Sequence, residues 1–433
     1  MKFNKNILFL LVTMVITFGS CKKFLREEFN DDPTSQNDPI PSLLLPAAQA
    51  NIAYYLGGDV ARYTALMTQQ VSGAGNQWIA YDNYIYTNSD FTNLWNGWYT
   101  SGLNSLDKAG KYANANKMAH YEAACKILSG YTYATLVDLY NDIPFTEALQ
   151  GPEILQPKYD AGSSVYSGVH ALLDAGIALA NQVDAGKVPG ADDLMFGGDM
   201  NKWIEFAHAT KARMYLHTKE YAKASAEIIL ANGIDAELVF QSPSSNPISQ
   251  FIDQRYGDIN FYGTTFSNLM EANGDARVYS ILDTSDASWL GLLSNPQAPI
   301  SFINSVELKF IEAEIAARNG DATAGDVLNE AVAMSYMKVL GDTAGMAAAM
   351  SGMPYNVWDA LEDRLKVVMT QKYFAMFMQP ETFADWRRTG YPVLTPVAGS
   401  NIPRRFLYPQ DETNNNPNTP SGTTLYSKVF WDN

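Results

Sequence analysis

Apolar residues recur at spacings of three and four along most of the chain, which is the pattern of helices that bury one face. It predicts helices over about 43–71, 92–115, 119–140, 163–183, 201–217, 221–231, 305–318, 322–340 and 357–378. Within Ala119–Tyr140 the stripe is Ala124, Ile127, Leu128, Tyr131, Ala134 and Thr135. Gly57-Gly58 predicts a break in the first helix, and Trp358, Leu361, Leu365, Val368 and Phe377 are the apolar positions of the last. Between the helices lie long stretches without helical period, at 72–90, 150–162, 241–304 and 392–433. Their aromatic content argues against disorder, so they read as ordered loops, with short strands or hairpins at Tyr84–Thr87 and Leu238–Gln241.

Two helix pairs carry a repeat. Ala212, Tyr221, Ala224, Ile228 and Ala231 occupy the small and large positions of a tetratricopeptide repeat, with intervals of twelve from Ala212 to Ala224 and seven to Ala231. A weaker copy runs Ala313, Gly320-Asp321, Ala324 and Ala331, one residue out of register late on. Small residues at these points let two helix axes approach, and stacking of neighbouring pairs buries the remaining faces. The expected fold is mainly α: a tetratricopeptide-like helical solenoid with a loop-rich cap and few short strands. A generic alanine-rich bundle is the alternative. No clear boundary divides the chain, so residues 41–433 read as a single helical domain with loop insertions at about 72–90, 241–304 and 392–433.

The amino terminus changes the picture. Lys2 and Lys5 precede the apolar run Ile7–Phe18, which is a signal peptide pattern; twelve residues fall short of the about 20 that span a bilayer. The run ends Phe18-Gly19-Ser20-Cys21, small residues followed by cysteine, as in bacterial lipoproteins whose new terminal cysteine is acylated. Residues 1–20 are then the signal peptide, Cys21 the lipidation site and 21–40 an acid-rich tether, with each buried acyl methylene contributing about 0.8 kcal/mol of anchoring. The other cysteine, Cys125, lies in a helical stretch and is expected to be a small core residue. Removing residues 1–20 takes the formal charge from −16 to −18, and no basic-aromatic patch appears, so nucleic acid is excluded as a partner.

Catalytic chemistry finds no footing. His120, His170, His208 and His217 form no zinc spacing, and no nucleophile elbow, phosphate loop or dinucleotide fingerprint occurs. Glu307, Glu312, Glu314 and Asp321 read as structural helix charges, since no calcium loop accompanies them. Asp385-Trp386-Arg387-Arg388, Arg404 and Arg405 read as architectural ion pairs. No cofactor is expected. The aromatic loops are the candidate ligand sites: Trp78, Tyr81, Asn83 and Tyr84 in the first, and Arg255, Tyr256, Tyr262 and Trp289 in the later insertion. Sugar rings present apolar C–H faces edged by hydroxyls, which suits flat rings beside amide and guanidinium donors. The opposing possibility is that these rings pack the cap onto the solenoid.

Several segments, taken in order, resemble the SusD/RagB family of nutrient-binding outer-membrane lipoproteins, in particular its shorter SusD-like branch. They are Cys21; Leu136–Ala148 (LVDLYNDIPFTEA); Lys202-Trp203 with Ala212-Arg213; Glu307–Gly320 (ELKFIEAEIAARNG); Gln371-Lys372-Tyr373; Asp385–Pro392 (DWRRTGYP); and Ile402–Pro409 (IPRRFLYP). The resemblance covers essentially the whole mature chain. One departure is Tyr140-Asn141-Asp142, where the family commonly has Tyr-Gly-Asp; asparagine tolerates the positive φ that glycine supplies. The resemblance implies a surface-displayed lipoprotein that sits as a lid on a TonB-dependent SusC-like channel, binds an oligosaccharide or peptide, and is not an enzyme. A surface glycoside hydrolase is the rival reading, and a repeat scaffold binding only proteins is another.

Overall fold

The computed structural model describes residues 40–242, 244–255, 257–282, 295–397 and 401–433. The signal peptide, Cys21, most of the tether, Tyr256 and Trp289 lie outside the described residues. Helices dominate: α1 (Pro41–Tyr55), α2 (Ala61–Met67), α3 (Trp78–Asp82), α4 (Thr92–Asn96), α5 (Asn104–Ala115), α6 (Ala119–Tyr140), α7 (Gly162–Ala180), α8 (Met200–His217), α9 (Tyr221–Ala231), α10 (Pro247–Gln254), α11 (Thr265–Ala272), α12 (Arg277–Leu282), α13 (Ser305–Asn319), α14 (Ala324–Leu340), α15 (Met346–Gly352), α16 (Leu361–Ala375), α17 (Glu381–Thr389) and α18 (Gln410–Asn415). Among the described residues there are also two short antiparallel pairs: β1 (Ser72–Gly73) with β3 (Ile259–Asn260), and β2 (Ala236–Leu238) with β4 (Ile300–Ile303). The break at Gly57-Gly58 is real: Leu56–Val60 is a π-turn segment in which Gly58 leaves helical geometry.

The axis of the fold is α6. Tyr121, Ile127, Leu128, Leu136, Val137 and Tyr140 are all buried, and the helix is enclosed by α5, α7 and α8. Thr132 and Thr135 turn their hydroxyls onto the carbonyls of Leu128 and Tyr131, which removes them as unsatisfied polar groups. Against α7 the approach is close enough that a Cβ at Gly176 would lie 2.6 Å from Ile127 Cγ1. The two repeat pairs form as the alanine spacing predicts. α8 packs on α9 and α13 on α14, with Ala212, Ala224, Ala231, Ala313, Ala324 and Ala331 fully buried. Asn141 takes the positive φ expected of it at the end of α6, +69 with ψ −89.

Some expectations are corrected. The stretch 241–304 holds α10, α11, α12 and the paired strand β4, because short helices there start on strong side-chain caps: Asn246 Oδ1 accepts from Ile248 and Ser249 N–H, and Thr264 Oγ1 from Ser267 N–H. Tyr84–Thr87 is not a strand. Tyr84 has φ +59, and Thr87 N–H donates to Asp90 to open a 3₁₀ turn. The helix predicted to begin near Val357 begins at Leu361, since Asn356 captures the Trp358 N–H in a turn; Trp358 is 90% exposed rather than on a buried stripe.

Candidate functional site

The early aromatic loop and the later insertion meet. β1 pairs with β3 in the register Ser72↔Asn260 and Gly73↔Ile259, and the amides of Ala74 and Gly75 both donate to Asp258 O. Asn76 Nδ2 adds a bond of 2.7 Å to the Asp258 carboxylate. The turn that follows is tight. A Cβ at Gly73 would lie 1.8 Å from the Trp78 carbonyl oxygen, so only glycine fits there. Gly73 N–H donates to Asp82 Oδ1, which ties the turn to the end of α3.

The rings of the early loop face inward. Trp78 meets Phe251 of α10 edge-on at 5.0 Å and Tyr81 at 5.5 Å, with the Arg62 guanidinium over both Trp78 and Phe251. Tyr81 stacks on Tyr86 at 4.8 Å, and Tyr63 of α2 sets its edge against Tyr81, Tyr86 and Phe91. Trp78, Tyr81, Tyr84 and Tyr86 are all buried. Burial raises the Tyr81 phenol above its ordinary pKa and Asp90 adds to the effect, so the hydroxyl keeps its proton and donates it to Asp90 at 2.6 Å. Tyr84 accepts from Gln69, whose amide oxygen takes the Thr265 hydroxyl, so that side chain bridges the loop to α11. The Trp78 indole N–H is buried with no hydrogen-bond partner among the described residues. The expected exposed platform is therefore corrected for Trp78, Tyr81 and Tyr84: ring contacts hold Trp78 and Tyr81 inward, and Tyr84 is buried against Leu394 and Ile402.

What the loops offer to solvent is different. Tyr262 is 49% exposed, Arg255 is exposed with Asp258 3.6 Å away, and Asn83 is half-buried with its amide on Ile79 O. Phe261 and Asn260 accompany Tyr262, half-buried and exposed respectively. Sequence reasoning named Arg255 and Tyr262 but passed over Ile79 and Ile85, both exposed on the early loop, because an aliphatic residue in an aromatic loop carries no chemical signal.

The charged motifs are internal. Arg213 grips Glu307 at 2.7 and 2.6 Å, Lys372 pairs with Asp385 at 2.7 Å, and Arg387 donates to the carbonyls of Asp138 and Arg404. Glu307 and Glu314 are fully buried in these contacts. Among the described residues, no group of three His, Cys, Asp or Glu is placed to hold a metal ion.

Together these features define a helical-repeat protein whose conspicuous charged motifs are buried and paired with one another. Residues 33–292 and 271–409 match the SusD-like family described as starch-binding and associating with the outer membrane, and the chain belongs to that family. Solved structures share the fold. A SusD/RagB family protein from Bacteroides thetaiotaomicron is 22% identical, covering 90% of this chain and 98% of that one, with a TM-score of 0.72. A SusD homolog from Bacteroides fragilis is 20% identical over 90% and 99%, with a TM-score of 0.71. A chitin-binding SusD homolog from Flavobacterium johnsoniae is 18% identical over 90% and 98%, with a TM-score of 0.72. No curated protein matches the sequence.

Proposed function

We propose that the protein is a cell-surface, outer-membrane lipoprotein, anchored through Cys21, that captures a glycan nutrient and delivers it to a TonB-dependent SusC-like channel without catalysis. The observation that carries this reading is the SusD-like match, which extends over most of the chain and whose family is described as starch-binding. The chitin-binding neighbour of the same fold favours a glycan over a peptide. The ligand face is assigned to Arg255 and Tyr262, and Asn83, Tyr256 and Trp289 are kept as candidates on the ground of sequence alone. A tyrosine ring stacks on the apolar face of a sugar, and a guanidinium supplies fixed donors to its hydroxyls. Trp78, Tyr81 and Tyr84 act from behind, holding the two loops together.

Calorimetric titration with starch-derived and chitin-derived oligosaccharides, and with peptides of similar length, tests the reading. Heat from at least one glycan is expected, with Tyr262→Ala and Arg255→Ala each weakening it about tenfold, or roughly 1.4 kcal/mol. Unchanged affinity in Arg255→Ala, Tyr262→Ala and Trp289→Ala sinks the placement of the face. Heat from peptides alone sinks the glycan, and sustained release of reducing ends sinks the absence of catalysis. Tritiated palmitate should label the native protein and not Cys21→Ser.

A further inference from the structure

Residues of α9, α13 and α14, together with Pro299, line a groove of about 1130 Å³. Its floor is aliphatic: Ile228 and Ile229 from α9, Val306 and Leu308 from α13, Met334 and Met337 from α14. Each helix contributes one face. On α14 the lining positions are Glu330, Ala333, Met334, Met337 and Lys338, a run of three-and-four spacings along a single stripe. Ile229 is 78% and Met337 51% exposed, so two large apolar side chains stand in water beside one another's helices.

The rim is acidic. Lys309 pairs with Glu312 at 3.0 Å and Glu330 at 2.6 Å, and Lys338 pairs with Glu237 at 2.5 Å and stands 3.8 Å from Asp235. Four carboxylates thus face two ammonium groups, and those of Asp235, Glu312 and Glu330 remain largely exposed. None of the described lining residues is aromatic, so the groove lacks the stacking surface that a sugar needs. An anionic lipid or nucleic acid would be repelled.

We propose that this groove docks an amphipathic helix of a partner protein whose apolar stripe is flanked by lysines or arginines. The stretch Glu330–Lys338 rises about 12 Å at 1.5 Å per residue, which matches two turns of a helix about 10–12 Å across. Apolar anchors at three-and-four spacing would enter between Ile229, Met334 and Met337, and methionine thioethers adapt to whatever side chains arrive. Basic flanks would neutralise the two uncompensated carboxylate charges. The proposal does not depend on the glycan face.

The probe is a fluorescein-labelled leucine–lysine amphipathic peptide of about four turns, titrated by anisotropy against the full mature protein. A leucine–glutamate peptide of the same pattern serves as the control. Saturable binding of the basic peptide is expected, weakened at least about tenfold by Ile229→Lys, Met337→Lys and Glu330→Lys and by raised salt. All three positions are solvent-exposed, and Glu330→Gln repeats the rim test without charge reversal. Arg255→Ala and Tyr262→Ala should leave peptide affinity unchanged. Equal binding of the acidic peptide, or full affinity in the three lysine variants, overturns the proposal. So does displacement by dodecanoate or by a chitin-derived oligosaccharide, which would make the groove a lipid or sugar site.

Discussion

Arg388, near the end of α17, holds Glu314 in the middle of α13 with both terminal nitrogens, at 2.8 and 2.7 Å, and both side chains are fully buried. The same guanidinium reaches Asp385 at 2.6 Å, while Glu314 also receives Arg318. Burial alone would keep Glu314 protonated, but Arg388, followed by Arg318 and Lys372, outweighs it and lowers the pKa to about 2. Removing one member strands a buried charge. Glu314→Leu should lose about 3 kcal/mol, the lower end of the range for broken buried pairs because Asp385 still faces Arg388. Replacing both, as Glu314→Leu with Arg388→Met, should lose clearly less than the two single changes together. Urea midpoints at constant slope measure all three, and strict additivity would show that the residues do not act as a pair.

His217 makes a prediction about alkaline pH. Its ring is fully buried between elements: Nε2 donates to Glu381 of α17 at 2.8 Å, and Nδ1 faces the Tyr166 hydroxyl of α7 at 2.9 Å and Asp138 of α6 at 3.3 Å. Desolvation pulls its pKa down, but Glu381 and Asp138 together overcome that and raise it from 6.5 to about 9. Between those values the folded protein holds a proton that the unfolded chain has released. The stabilisation is therefore complete below pH 6.5 and is lost as pH rises through about 9, at up to roughly 1.4 kcal/mol per unit. His217→Gln should flatten that part of the stability profile. NMR titration of the ring gives the midpoint directly, and a value at or below 6.5 would contradict the assignment.

The solenoid was legible because its signals are local and periodic. The stripe of Ala119–Tyr140 and the alanines at 212, 224 and 231 each determine a helix face without knowledge of what packs on it. The insertion at 241–304 was not, because α10, α11 and α12 are too short for periodicity and depend on single caps such as Asn246 and Thr264. The site was half legible. That the early loop carries rings is plain in the sequence, but whether Trp78 points in or out is decided by Tyr63 on another helix and by Phe251, which comes from a distant part of the chain. Trp358 shows the converse: its place on an apolar stripe suggested burial, and a turn at Asn356 put it in water.

That inward packing of Trp78 gives a contrast with Tyr262. Trp78→Ala removes a ring wedged against Phe251, Tyr63 and Tyr81, and should lower stability by about 3–5 kcal/mol. Tyr262→Ala, at a half-exposed position, should cost clearly less than that. Urea denaturation followed by circular dichroism separates them. If Trp78→Ala proves as mild as Tyr262→Ala, the indole is not part of the joint between the loops.

Cys125 provides an internal reference for the proposed acylation of Cys21. It lies inside α6 with α5 packed close by, a Cβ at Gly110 falling 3.5 Å from it, and burial pushes its thiol pKa up to about 12. At pH 8 almost none of it is thiolate, and no reagent can reach it without opening of the helix pair. The native chain should therefore show no thiol reactive toward Ellman's reagent from Cys125, and one should appear on full unfolding in guanidinium. If Cys21 is acylated as proposed, its thiol is blocked and the protein gives none when native and one when unfolded, whereas an unmodified form with an accessible Cys21 gives one and two. Rapid labelling of native Cys21→Ser protein would show that Cys125 is accessible and that the α5–α6 packing is looser than drawn.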